Sequence, residues 1–287
     1  MADGAAIELC ANIVLRDDPH LFATALFAPE PARSRLMVLY ALDCELSRAT
    51  RASKESMIPR MRLQWWRDII ADAADGGAPK AHEVAGPLAR LIQTDQALIS
   101  DIHELNGGDV LSRMIAGYEQ ELDAPFAEDA YLAWAYGRFG ARLGLAGSIS
   151  PLGPEYGHDG DMSAASRVLA LGLALRSARR MAAEAGHTLL PNVKGNDLAG
   201  LARGQISDSL ADLLKTLTSG TLVDLKALRS SRSLRGEALV AHLPIRREVR
   251  VIRRVARKPA ALLELNEADE IPFQGLRLAW AAWWRRW

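Results

Sequence analysis

The sequence predicts an all-α fold of ten or more helices. Three observations carry that expectation. Alanine, leucine and arginine dominate the 287 residues, and no run shows the alternating β-branched pattern of a strand. Apolar residues recur at helical spacing along most of the chain. Glycine and proline fall between these stretches rather than within them.

Asp18-Pro19 reads as a helix start, a capping acid followed by a proline whose missing N–H costs nothing there. That helix should end by Ala28, because Pro29 and Pro31 follow. From Ala32 to about Arg51 the apolar positions Leu36, Leu39, Tyr40, Leu42 and Leu46 again suit a helix. The next is expected from about Pro59 through Leu63, Trp66 and Ile70, stopped by Gly76-Gly77. Further helices are expected at about 80–94, 108–122, 128–147 and 162–185, with several more from 197 onward. No linker is long or low in complexity, so one domain over 1–287 is expected.

Composition excludes several function classes. Nearly half the residues are apolar, which excludes intrinsic disorder. Thirty-five basic and 35 acidic side chains balance, so the chain lacks the cationic field of a general nucleic-acid binder. Only Cys10 and Cys44 are present, as expected in a reducing compartment. The first residues resemble neither a signal nor a transit peptide, and no stretch reaches membrane-spanning length. A cytoplasmic protein is expected, peripheral on the inner face of a bacterial inner membrane.

Common chemical motifs are missing: no phosphate loop, no His-Glu-x-x-His, no histidine pair one turn apart. Acid pairs do occur at i,i+4, namely Asp68 with Asp72, Glu119 with Asp123 and Asp208 with Asp212. Such pairs share a helix face, where they either hold Mg²⁺ or face solvent; the solvated face is expected.

Four stretches bring a family into view. Leu26-Phe-Ala-Pro-Glu-Pro-Ala-Arg33-Ser-Arg35-Leu-Met-Val-Leu-Tyr40-Ala-Leu resembles the opening of the squalene/phytoene synthase family. Arg62-Leu-Gln-Trp65-Trp66 resembles its Arg-x-x-Trp-Trp helix. Residues Ile115–Asp123 and Tyr131–Gly144 resemble its central helix pair, and Gly186-His-Thr-Leu-Leu-Pro191 the tail of its second motif. The resemblance implies the all-α isoprenoid synthase bundle. It also implies head-to-head condensation of prenyl diphosphates, whose charge is held by Mg²⁺ on two aspartate-rich helices.

The sequence departs from that pattern at the metal-binding positions. Counting from Tyr40-Ala41, the first Asp-Asp-x-x-Asp falls on Ser47, Arg48 and Arg51. Between Asp161 and Asp197 the only acid is Glu184, while Arg167, Arg176, Arg179 and Arg180 crowd the same helix. At ~4 Å and an effective dielectric of 20, each like-charge pair costs about 4 kcal/mol, so no Mg²⁺ site or other metal is expected. The run Tyr40-Ala-Leu-Asp-Cys-Glu45-Leu46-Ser47 is similar to that of a subgroup related to a mitochondrial assembly factor for NADH dehydrogenase, complex I. That resemblance implies a non-catalytic, cofactor-free role, with a membrane-complex subunit or assembly intermediate as partner.

Two alternatives stay open at this point. One is an active prenyltransferase drawing its acids from Asp43, Glu45, Asp68, Asp72 and Glu119, with Mg²⁺ as cofactor. The other is a module that binds an anionic lipid or prenyl phosphate through Arg48 and Arg51, one helical turn apart. The Ala/Gly-rich stretch around Ala135, Gly137, Gly140, Ala141 and Gly144 either lines a tunnel for the prenyl tail or permits close helix packing; packing is expected.

The C-terminal third is basic. Ten basic residues and two acids lie between Arg229 and Lys258. Arg246, Arg250, Arg253, Arg254 and Arg257 form one helical stripe, with Val251, Ile252, Val255 and Ala256 broadly opposite. The end, 272–287, is expected to be a Trp/Arg-rich helix whose Trp280, Trp283, Trp284 and Trp287 share an arc of about 100°. Arg246, Arg250, Arg253 and Arg257 with these tryptophans are the candidate membrane- or partner-docking residues.

Overall fold

The computed structural model describes residues 2–53, 55, 57–94, 110–149, 159–230 and 239–265, and among these every regular element is helical. The elements are α1 (Ala2–Asp17), α2 (Pro19–Ala25), α3 (Ala32–Thr50), α4 (Met57–Ala74) and α5 (Ala85–Thr94). Then come α6 (Val110–Glu121), α7 (Glu128–Ala135), a π-helical turn (Tyr136–Gly140) and α8 (Ala141–Ile149). The second half holds α9 (Asp159–Glu184), α10 (Gly195–Ala202), α11 (Asp208–Ser230), α12 (Leu239–His242) and α13 (Ile245–Arg257), closed by a 3₁₀ turn (Pro259–Glu264).

Asp18 caps α2 as expected, accepting from the His20 and Leu21 amides at 3.1 Å each. α4 starts at Met57, two residues before the expected Pro59, which its first turn accommodates because those N–H groups have no intrahelical acceptor. Gly76, at φ +82°, follows its last turn. α5 begins at Ala85 rather than near 80, because the His82 ring nitrogen Nδ1 accepts from the Val84 and Ala85 amides and caps it. The expected helix over 128–147 is interrupted by the π-helical turn, the kind of bulge that often marks a functional position.

Two apolar clusters fill the bundle. One joins α1, α3, α4, α5 and α6 around Leu36, Leu42, Leu46, Leu63, Met114 and Tyr118. The other joins α7, α9, α10, α11 and α13 around Trp134, Val168, Leu175, Leu214 and Ile252. α8 lies between them, giving Ala141, Leu145 and Ala146 to the first cluster and Leu143 to the second. The long α3 and α9 are the central helices of their clusters: α3 packs on α1, α4, α5, α6 and α8, and α9 on α10, α11, α13 and the π turn.

Close approach between helices depends on two glycines. A Cβ on Gly117 would lie 2.6 Å from the Arg138 backbone nitrogen, and one on Gly172 2.2 Å from the Glu248 carboxylate. Both glycines seat a charged residue inside the bundle.

Candidate functional site

Of the residues expected at the first acidic motif, Ser47 and Arg48 sit on the last turn of α3 and Arg51 caps its end, and all three are engaged locally. The Ser47 hydroxyl and carbonyl accept from Arg51, at 2.6 and 3.1 Å. Arg48 is exposed and turns outward, pairing with Glu45 at 2.7 Å and with Asp17 at the end of α1. It borders an open surface cleft of about 640 Å³ between α1, α3 and α5, where Arg48, Lys80 and Arg90 are set against Glu45 and Glu83.

The helix carrying the second motif, α9, spends its arginines on other partners. Arg167 makes a bidentate pair with Asp224 of α11, at 2.6 and 2.9 Å. Arg176 grips Glu248, Arg179 donates to the Leu263 carbonyl at 3.0 Å, and Arg180 pairs with Glu184 one turn on.

Asp43, one turn before Ser47, is buried and doubly held. Arg142 of α8 donates to it at 3.0 Å, and the Tyr118 hydroxyl donates at 2.7 Å. Arg138, from the π turn, donates to the Tyr118 oxygen at 3.1 Å and stacks its guanidinium 4.1 Å above that ring. Its other end pairs with Glu121, which also accepts from the Trp134 indole at 3.1 Å. The result is one continuous chain, Trp134–Glu121–Arg138–Tyr118–Asp43–Arg142, in which two acids balance two arginines. Burial lowers the proton affinity of Arg142, but the Asp43 charge overcomes this and keeps it firmly protonated. Burial pushes the Tyr118 phenol far above its usual range, so it stays a donor.

A second chain runs at the α2–α9–α13 junction. Arg176 reaches Glu248 at 2.9 and 3.1 Å, Arg247 reaches the same carboxylate at 2.8 Å, and Arg247 also holds Asp18 at 2.8 and 3.1 Å. Again two acids balance two arginines. Burial opposes ionisation of both acids, but the neighbouring arginines prevail and hold Asp18 and Glu248 below the usual carboxylate range. His20, whose Nε2 lies 3.2 Å from the Pro244 carbonyl, is lowered to about 4 by burial and by Arg247, and so stays neutral.

The other acids weighed for an active site each have a separate partner. Glu45 pairs with Arg48, Asp72 with Lys80 and Glu119 with Arg67, while Asp68 accepts from Gln64. Asp123 pairs with Arg60 and Asp212 with Lys215. Among the described residues, no three histidine, cysteine or acid side chains converge on a point where a metal ion would sit. Magnesium needs carboxylates free to bind it. Ser47, Arg48 and Arg51, with the arginines of α9, do not fit the ion.

The small-residue stretch permits close packing. A Cβ on Gly140 would sit 3.2 Å from the Tyr136 ring and 3.3 Å from the Ser166 hydroxyl. The void between Tyr136, Gly137, Gly140, Gly144 and Met162 is about 20 Å³, room for one water. Small-molecule pockets start near ~300 Å³.

The basic stripe lies on α13 as expected. Arg250, Arg254 and Arg257 are exposed and Arg246 and Arg253 half-buried, with Val251, Ile252 and Val255 turned inward. Arg247 and Glu248 of the same helix, not among the expected site residues, are its inward-facing ion pair. Trp280, Trp283, Trp284 and Trp287 lie outside the described residues.

Comparison with known proteins bears on this geometry. A dehydrosqualene synthase solved with a ligand superposes with a TM-score of 0.75 at 14% identity, covering 98% of this chain and 96% of that one. Squalene synthase HpnC from Alicyclobacillus acidocaldarius superposes at 0.69 and 13% identity, covering 91% and 95%. No curated protein sequence matches the chain. These likenesses show the fold. The family model described as squalene/phytoene synthase matches residues 14–284, nearly the full length. By that match, the chain is a member of the squalene/phytoene synthase family.

Proposed function

We propose that this chain is a catalytically silent member of its family that acts in assembly of a respiratory membrane complex, NADH dehydrogenase (complex I). The observation that carries the silent half is the state of Asp43. It is the acid one turn before Ser47 on the same helix face, and its carboxylate is buried and held by Arg142 and Tyr118. Arg48 and Arg51, at two of the motif positions themselves, bring charge of the wrong sign for a metal ion. The assembly half rests on the sequence run Tyr40–Ser47, which is similar to that of the complex I subgroup.

In this reading the family bundle serves as a rigid body that presents surfaces. Arg246, Arg250, Arg253 and Arg257 on α13, and Trp280, Trp283, Trp284 and Trp287 near the end, are the docking residues. Their partner is a subunit or assembly intermediate at the inner face of a bacterial inner membrane. Deleting the gene from its native bacterium should deplete assembled NADH dehydrogenase, measured as NADH oxidation by isolated membranes. A copy carrying Arg48→Ala and Arg51→Ala should restore it, because those residues are not used. Membranes of the deletion strain with undiminished NADH oxidation contradict the assembly role. Failure of the double variant alone points instead to a phosphate-binding use of Arg48 and Arg51.

A further inference from the structure

Ten large apolar side chains are exposed among the described residues, and four of them, Met57, Ile58, Met61 and Trp65, fall within nine residues of α4. The others are spread over α1, α2's end, α7, the π turn and α11. Met57 and Met61 are 68% and 66% exposed, Trp65 and Ile58 41% and 39%. At 3.6 residues per turn the four share an arc of about 100°. This is a ridge on a convex helix rather than a groove.

Cations flank the ridge on both edges. Arg60 lies about 60° before the arc and Arg62 about 40° beyond it, at 100° per residue. Both reach the surface: Arg62 is exposed, and the Arg60 side chain is 41% exposed in its pair with Asp123. From Ser56 to Arg67 there is no acid in the sequence, and residues 51–55 of the sequence hold Arg51 and Lys54 with a single acid, Glu55. Further along, Asp68 and Asp72 occupy the same angular range, so the apolar ridge is confined to the N-terminal half of α4. The tryptophan is firmly placed. Its ring meets buried Trp66 edge-on at 4.9 Å and His82 at 5.4 Å, while His82 is itself tied to the start of α5.

We propose that this ridge of Met57, Ile58, Met61 and Trp65 seats the protein on an anionic lipid surface. A convex apolar ridge bordered by arginines matches the interfacial region of a bilayer, where apolar side chains enter the headgroup boundary and cations meet phosphate. A soft bilayer accepts a protruding ridge without a matching groove, and a pre-positioned tryptophan loses little side-chain freedom on entering it. The acids farther along α4 share the ridge's face but stay in water if the helix enters obliquely, N-terminal half first. The inference is independent of the complex-assembly role, since it uses only the α4 surface.

Flotation of the full-length protein with vesicles tests it. Wild-type protein should float with vesicles of equal phosphatidylcholine and phosphatidylglycerol, and much less with phosphatidylcholine alone. Met61→Ser with Trp65→Ser should cut binding to the mixed vesicles by about tenfold or more. Arg62→Glu should weaken it and reduce its dependence on phosphatidylglycerol. All three positions are exposed, and unchanged helical circular dichroism would show that the variants fold. Undiminished flotation of the Met61→Ser, Trp65→Ser protein overturns the proposal. So does wild-type protein that stays unbound, which would leave the ridge to a protein partner.

Discussion

Glu248→Ala is expected to lower the unfolding free energy by about 3–5 kcal/mol, the usual cost of breaking a buried ion pair from one side. The carboxylate is 2% exposed and neutralises two guanidinium groups, Arg176 and Arg247. Removing it takes their shared, buried carboxylate from both guanidinium groups at the junction of α2, α9 and α13, while Arg247 keeps Asp18. The truncated side chain also leaves a void over Gly172, against which it packs. Urea unfolding followed by circular dichroism gives the difference.

The effect should depend on pH in a defined direction. The arginines hold the folded-state pKa of Glu248 below its unfolded value, about 4.3 for an ordinary glutamate. A lowered pKa means a contribution that is full above the unfolded value and is lost as pH falls through the folded one. The gap between wild type and Glu248→Ala should therefore be widest near neutrality and narrow in acid. A gap that widens as pH falls would contradict the assigned pairing.

The second large effect is at Asp43. Asp43→Ala is expected to cost about 3–5 kcal/mol, because Arg142 is left in the core without its acid and Tyr118 loses an acceptor. Replacing both partners, Asp43→Ala with Arg142→Leu, should recover most of that loss, since apolar groups of similar volume often substitute for a buried pair at little cost. The non-additivity of this cycle measures the bridge directly. If Asp43→Ala is nearly neutral, the carboxylate is not held as described.

Helix formation was legible where local chemistry decides it. The Asp18 cap with Pro19, the prolines after Ala28 and the glycines after Ala74 place α2, α3 and the end of α4 within a few residues. α1 was not among the expected helices. Its buried Cys10, Ile13 and Val14 acquire meaning only against α3 and α2, on which the helix packs. The π turn was also hidden, since Gly137 and Gly140 fit a continuous helix equally well in sequence.

The same division runs through the site. The reversed charges at Arg48 and Arg51 could be read by counting along one helix. Their local partners, Glu45 and Ser47, lie within a turn. Asp43 and Arg142 are 99 residues apart, and Arg176 and Glu248 are 72, so no spacing rule links them. On α13 the exposed arginines dominated the pattern, and the inward-facing Arg247 and Glu248 looked like two more surface charges. One signal was available: Glu248 is the only acid among the seven charged residues of α13. A solitary acid in the middle of its apolar face is a candidate for an inward partner.

The central claim is that the bundle has exchanged its metal-held diphosphate chemistry for internal ion pairs. The most direct measurement is diphosphate release from farnesyl and geranylgeranyl diphosphate by purified, folded protein with Mg²⁺ or Mn²⁺. The account predicts no release above a protein-free control with either metal. Sustained, metal-dependent turnover that is lost in the Asp43→Asn variant would contradict it, and would make the buried carboxylate part of an active site.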